Sequence, residues 1–432
     1  MSRFWWVATA LVALLSIIMR HNLLLLMSIL MALLAAAAHF WARHCLTNVT
    51  YVRRFESTHL FFGRATDLHL EITNAKLLPL SWLRVDDEFP VALAIGDISN
   101  ADWLSAQEEQ VEKPETHKRP IGTRHSLINV LSMRWYERIT RRYRIRGLQR
   151  GAWKIGPAQM RSGDIFGFDI RRMGIDAHPQ RVIVYPLMMP ISALDLPARH
   201  PFGDFRTQRR LAEDPLRLMG TREYNQGDSF RHIHWKATAR RQALQTKVFE
   251  PSSTRPLALF LDIRISGQHY WGHDSQLREY AISATASIAR HEWEEGYAVG
   301  LYSNALLVGD QWRLRIPPRK HAGQMVELLE ALARIEGNGR WPIEQLLQTE
   351  SRRLPYGATA VVITTHLSPT LLQTVADLQR RGYGMALVVL GEEKLEQALL
   401  GVHYYHIGGH ERWQAFQHAA QKGVHHETLA LA

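Results

Sequence analysis

Between Phe4 and Met19, and again between Leu23 and Trp41, the chain carries no Asp, Glu, Lys or Arg, and only Arg20, His21 and Asn22 separate the two runs. A bilayer's hydrocarbon core is about 30 Å thick and a helix rises about 1.5 Å per residue, so each run is near the shortest that crosses. The pattern predicts a transmembrane helical hairpin over residues 1–45, with Trp5, Trp6 and Trp41 suited to the interfacial belts. The competing reading is a cleaved secretory signal, for which Ala35, Ala36 and Ala37 would supply the small residues. The charged and polar break at residues 20–22 argues against it, and His44 before Cys45 is a poor match to a lipoprotein anchor. Arg43, Arg53 and Arg54 follow the second run, whereas the hairpin tip carries only Arg20. The positive-inside rule then puts the bulk of the chain in the cytoplasm, held at the inner (cytoplasmic) membrane as a multi-pass protein.

The 432 residues suffice for two or three further cores. One Cys excludes an internal disulfide and a four-Cys zinc site. A net charge of +11 favours anionic partners: lipid head groups, acidic proteins or nucleic acid.

From residue 46 to 190 the pattern is short and strand-like, as in Leu68, Leu70 and Ile72, and broken by turn residues such as Asn74 and Pro79. This predicts a β-sandwich-like domain, with residues 96–124, polar and rich in Glu, as a long loop. Alternation through Ile139, Tyr143 and Ile145 puts Arg142, Arg144 and Arg146 together on the opposite face. Such a basic face suits anionic lipid or nucleic acid, or a solvated strand face. Aromatic residues at stacking intervals are too few beside it, and nucleic acid is not the expected partner.

From residue 256 to 432 the pattern alternates strand and helix. Leu257 to Leu261 is a strand ending at Asp262, then Leu277, Tyr280, Ala284 and Ile288 recur at helical spacing until Gly296. Ser368 and Pro369 read as an N-cap with proline at the first helical position, and Gly382 as a stop. This predicts a doubly wound α/β domain with a mostly parallel sheet.

Residues 191–255 connect the two. Within them, Asn225 to Gly227 read as a turn, Asp228 as the cap of a short helix through Phe230, Ile233 and Trp235, and residues 244–248 as a strand. Arg222, Arg231, Arg240 and Arg241 surround only Glu223 and Asp228, so at least two guanidiniums have no local carboxylate. On this reading the segment is a structural joint with Trp235 buried.

This stretch resembles the family called domain of unknown function 58. Its signature, R-E-Y-x-x-G-D-x-x-R-x-I-x-W-x-A-x-A-R, is filled by Arg222, Glu223, Tyr224, Gly227, Asp228, Arg231, Ile233, Trp235, Ala237, Ala239 and Arg240. The resemblance extends to residues 146–168 and 182–186. It implies a membrane-anchored protein with a β-domain and a domain like the von Willebrand factor A module, working with an AAA+ ATPase of the MoxR type. The role it suggests is assembly or maturation of protein complexes. Such a module commonly binds a divalent metal through an Asp-x-Ser-x-Ser loop, a Thr loop and a later Asp. Here Arg264 stands at the middle Ser of the loop from Asp262 to Ser266, and Thr365 where the later Asp would follow its strand. These departures from the family's pattern lead to the expectation of no bound metal or other cofactor, with the fixed Arg264 charge pairing with Asp262 in the ion's place.

No phosphate-binding G-x-x-x-x-G-K-[ST] loop, G-x-S-x-G elbow or H-E-x-x-H motif occurs. His232 and His234 do not share a helix face, and His403, His406 and His410 cluster without a carboxylate or Cys nearby. The expectation is a non-enzymatic, membrane-tethered interaction protein. The alternatives are an enzyme of unknown reaction using the crevice by Asp262, or an anionic-surface binder using the basic face.

Overall fold

A computed structural model of the chain describes residues 2–19, 22–97, 124–165, 167, 169–175, 180–197, 202, 213–226, 228–251, 256–264, 273–307, 314–336, 339, 341–355, 357–395 and 397–421. The expected loop at 96–124 falls almost wholly outside these residues, as do Arg20, His21, Gly227 and Ser266. The chain divides into two compact units, Met1–Val184 and Tyr185–Ala432, so the stretch 191–255 belongs with the second.

The first unit begins with two helices, α1 (Ser2–Met19) and α2 (Asn22–His44), which pack along each other. Thr9, Ser16 and Ser28 are buried in the pair while the leucines face outward. Small polar side chains let apolar helices approach closely, and the Ser16 and Ser28 hydroxyls donate to the carbonyls of Ala13 and Leu25. α2 is long and apolar enough to cross a membrane; the apolar part of α1, Thr9–Met19, is shorter.

The β-domain follows without a linker. Its strands are β1 (Val49–Phe55), β2 (His59–Leu60), β3 (Ala65–Asn74), β4 (Leu80–Pro90), β5 (Leu93–Asp97), β6 (Arg124–Met133), β7 (Arg138–Gly147), β8 (Gly151–Lys154), β9 (Ala158–Gly163), β10 (Ile170–Gly174) and β11 (Arg181–Val184). They form sheets in the orders β1-β3-β7-β5 and β10-β9-β4-β6, with a smaller sheet β2-β11-β8. Alternation sends Leu68, Leu70 and Ile72 of β3 and Leu83, Val85 and Phe89 of β4 into one shared core, which also takes in Cys45 and Leu46. Within it, Arg53 and Tyr51 both donate to the fully buried Asp87, at 2.7 and 2.6 Å.

The second unit opens with a hairpin of β12 (Glu213–Glu223) and β13 (Gln245–Pro251), which carries the short helix α3 (Trp235–Arg241) in its connection. A six-stranded mixed sheet follows. Its strands are β14 (Pro256–Leu261), β15 (Ala298–Ser303), β17 (Leu314–Arg319), β19 (Thr359–Thr364), β20 (Gly384–Val389) and β21 (Val402–His406), in the order β17-β15-β14-β19-β20-β21. β17 is antiparallel and the rest are parallel. A separate two-stranded ribbon joins β16 (Leu306–Leu307) to β18 (Ile335–Glu336).

The helices are α4 (His273–Glu294), α5 (Gln324–Ala333), α6 (Ile343–Ser351), α7 (Pro369–Arg380) and α8 (His410–Gln421). Tyr280, Ala284 and Ile288 of α4 are buried as their spacing requires, and α4 ends at Gly296 with φ +91°. α7 starts as the residues indicate: the Ser368 hydroxyl accepts from the Leu371 N–H at 3.1 Å with Pro369 in the first turn. The order in which strands are added to the sheet reverses between the parallel neighbours β14 and β19, whose carboxyl ends therefore flank the crevice where open α/β sheets take ligands.

Candidate functional site

Asp262 follows β14 at that crevice and is buried. Its Oδ1 accepts from Asn304 Nδ2 at 2.7 Å and from the Arg264 backbone N–H at 3.0 Å, and its Oδ2 accepts from the Thr364 hydroxyl at 3.1 Å. Burial pushes the carboxyl above its ordinary range, and the hydrogen bonds from Arg264, Asn304 and Thr364 oppose that rise. Asn304 is held in turn: Nδ2 also donates to the Trp341 carbonyl at 3.0 Å, and Oδ1 accepts from the Ile263 N–H at 3.1 Å. A Cβ on Gly339 would stand 2.8 Å from the Asn304 amide, so the glycine lets this chain segment close on it.

Arg264 donates to Asp262 through its backbone amide, and its charge also draws the carboxyl down, without a salt bridge between the two side chains. The hydroxyl donor to Asp262 is Thr364, the residue before Thr365. The Arg264 charge acts also on Glu344 at the start of α6. Burial raises the Glu344 carboxyl, but hydrogen bonds from Ser368 at 2.5 Å and Thr370 at 2.9 Å, with the Arg264 charge, outweigh it and hold it below the ordinary range. At the same sheet edge His366 Nδ1 lies 2.7 Å from Glu393.

With amide donors on Oδ1 and a hydroxyl donor on Oδ2, Asp262 ties together the ends of β14, β15 and β19. Among the described residues no three His, Cys, Asp or Glu side chains converge as metal ligands. Sequence reasoning missed Asn304, although a polar Ser-Asn pair ending an otherwise apolar strand was a readable signal.

The signature segment is built differently from its expectation. Arg222 on β12 donates twice to Asp228, at 2.7 Å each, and Asp228 also accepts from the Asn225 N–H at 3.0 Å and the Thr246 hydroxyl at 3.3 Å. Asp228 thus locks a turn onto β12 and β13 and caps no helix. The helix begins at Trp235, and its cap is His234, whose Nδ1 accepts from the Ala237 N–H at 3.1 Å. Ile233 is the buried residue, bridged to Thr246, and Trp235 is 69% exposed. The reason is geometric: the helix starts two residues after Ile233, so Trp235 leaves on the outer side. Phe230 is also exposed, stacked on Tyr224 with ring centroids 5.7 Å apart. Arg231, Arg240 and Arg241 are exposed without a carboxylate partner among the described residues, and Glu223 is exposed beside them.

The basic face of β7 does not assemble as three arginines. Arg142 and Arg144 are exposed, but Arg146 is buried and donates through Nε to the Gly63 carbonyl at 2.6 Å. β3 lies in register and brings Asp67 opposite Arg144, 3.4 Å away, so the face alternates in sign. Arg138 and Arg54 both approach Glu71 on the same sheet. His403 and His406 lie on β21 and His410 opens α8, with His406 Nε2 2.8 Å from the Gly391 carbonyl.

Among curated proteins, the chain is 27% identical over 345 residues to an uncharacterized protein, YeaD, of Bacillus subtilis (strain 168), covering 79% of this chain and 75% of that one. Among solved structures it is similar to the sporulation control protein Spo0M of Bacillus subtilis, at 10% identity over 32% of this chain and 50% of that one, with a TM-score of 0.18. It is also similar to a cohesin module of a Clostridium perfringens family 33 glycoside hydrolase, at 9% identity over 32% of this chain and 95% of that one, with a TM-score of 0.17. Residues 220–408, from the Arg222–Asp228 clamp to the end of the mixed sheet, match the family described as "Protein of unknown function DUF58".

Proposed function

We propose that this protein is a membrane-anchored, cytoplasm-facing scaffold that docks a partner protein through its signature segment, the partner being an AAA+ ATPase of the MoxR type engaged in assembling or maturing protein complexes. The observation that carries this reading is the exposed Trp235, raised on a platform that Asp228 fixes and flanked by Phe230, Arg231 and Arg240. Tryptophan and arginine dominate binding hot spots, and a pre-ordered platform lowers the entropy cost of docking. Nothing in the fold requires a large aromatic side chain in water at that position.

α1 and α2 act in this reading as a transmembrane hairpin at the inner membrane. The strand order with one antiparallel edge, β17, is consistent with a von Willebrand factor A-like domain. The full donor set on Asp262 favours a scaffold over an enzyme. The pairing of Arg144 with Asp67 weighs against a lipid or nucleic-acid face there.

The test is a pull-down of the detergent-solubilised full chain, with co-purifying proteins identified. An AAA+ ATPase that recurs with the unmodified chain and is lost with Trp235→Ala supports the proposal. Equal recovery with both chains, or no ATPase with either, overturns it.

A further inference from the structure

The β-domain holds the end of α2 inside itself. Trp41 packs against the β-domain core, Ala42 and Cys45 are fully buried, and His39 stands 4.0 Å from Asp169 in the turn between β9 and β10. That leaves residues 22–38 of α2 clear of the domain, which at about 1.5 Å per residue is roughly 25 Å of helix. A hydrocarbon core of about 30 Å is longer than this. A bilayer crossed by α2 therefore reaches the domain's own surface.

The surface it meets is apolar. On one side of the helix, Lys76 donates to the carbonyls of Cys45 and Thr47 at 2.6 and 2.8 Å, which pins the turn between β3 and β4 beneath α2. The turn between β6 and β7 is tied to it by the Tyr136 N–H to the Lys76 carbonyl at 3.2 Å and by Asn74 Nδ2 to the Arg134 carbonyl at 2.8 Å. These two turns carry Leu77, Trp135 and Tyr136. On the other side, the turn beside His39 carries Ile165, and Ile170 opens β10 directly after it. All five are between 53% and 73% exposed. Isolated exposed apolar residues need no explanation, but five on three turns and an adjoining strand start around the exit of an apolar helix form a rim. Trp and Tyr favour the layer between hydrocarbon and water, and Arg134 and Arg172 are exposed alongside for lipid phosphates.

We propose that Leu77, Trp135, Tyr136, Ile165 and Ile170 form a membrane-docking rim that seats the β-domain in the head-group layer of the bilayer. The inference rests on the reading of α2 as a membrane span. It makes the β-domain a part of the anchor, held flush against lipid, instead of a free domain on a stalk.

The test uses the full chain in nanodiscs of phosphatidylethanolamine and phosphatidylglycerol, with single cysteines carrying an environment-sensitive fluorophore; the native Cys45 is fully buried and stays in place. Leu77→Cys, Trp135→Cys and Ile165→Cys report on the rim. Val91→Cys is the control, just past the far end of β4, about 30 Å from its start at about 3.3 Å per residue. Leu30→Cys reports on the span. The rim labels are expected to lose emission to nitroxide on lipid head groups and resist aqueous iodide, while the label at 91 shows the reverse. If the label at 30 is quenched by acyl-chain nitroxide but the rim labels behave like the label at 91, the rim is refuted and the span stands. If all labels, including 91, are quenched alike by head-group nitroxide, the rim is also refuted. If the label at 30 escapes acyl-chain nitroxide, the span itself falls and takes the rim with it.

Discussion

Arg222 and Asp228 face each other as a two-pronged pair, guanidinium to carboxylate, with both hydrogen bonds at 2.7 Å. The geometry is the planar match that only arginine offers a carboxylate. Arg222 chiefly, with the Asn225 N–H and the Thr246 hydroxyl, draws the Asp228 carboxyl down to about 2. An aspartate in the unfolded chain titrates near 3.9. A depressed folded value stabilises above the unfolded one and is lost as pH falls through the folded one. The hairpin's stability should therefore hold from neutral pH to about 4 and fade between about 4 and about 2. Asp228→Asn should remove that acid limb in pH-dependent urea melts followed at the hairpin.

The burial of Ile233 against the exposure of Trp235 predicts opposite outcomes for neighbours two positions apart. Ile233→Ala should cost about 2 to 5 kcal/mol, as removal of a buried aliphatic side chain does. Trp235→Ala should stay within about 0.5 kcal/mol of the unmodified chain. Denaturant midpoints of the two variants check this; a large loss for Trp235→Ala would return the tryptophan to a core.

Asn304 is the donor that most closely approaches Asp262, and it also ties down the Trp341 carbonyl. Asn304→Ala strips a buried carboxylate and a buried carbonyl of one partner each. The expected cost is about 1 to 3 kcal/mol, and the Asp262 carboxyl should rise further. Thermal melts compared at pH 5 and pH 8 should show the larger deficit at the higher pH, where the carboxylate is charged.

Glu292 on α4 is buried, and burial together with the nearby Glu295 lifts its carboxyl to about 7. An unfolded glutamate titrates near 4.3. A raised carboxyl value means the folded state holds the proton longer, so stability is full below about 4 and declines as pH climbs to about 7. The decline amounts to as much as about 4 kcal/mol, from 1.36 kcal/mol per pKa unit. Glu292→Gln should flatten the profile over that interval in chemical denaturation.

Much of the α/β unit was readable because its signals are local. The apolar run Leu257 to Leu261, the Ser368-Pro369 start and the Gly296 and Gly382 stops each act within one turn of chain. β17 escaped because Pro317 and Pro318 break a strand pattern, and a proline is tolerated there only because β17 is an edge. α6 escaped because it begins after Pro342 without a polar cap. The site was legible in part. Asp262 stood out by its place after a strand, but its partners Asn304 and Thr364 come from 42 and 102 residues further along and only the sheet brings them together. Arg146 looked like its neighbours in sequence, but the fold buries it with its Nε on the Gly63 carbonyl, a contact from 83 residues away.

The handover from α2 to β1 has a mechanical consequence. Only Cys45 to Asn48 separate helix from strand, Cys45 and Leu46 are built into the core, and Lys76 clamps the backbone between them. Such a joint has no slack. A pull or twist applied to the β-domain by anything that grips this chain is delivered to α2 undamped, as through a rigid lever, and any change in the tilt of α2 swings the whole domain by the same angle.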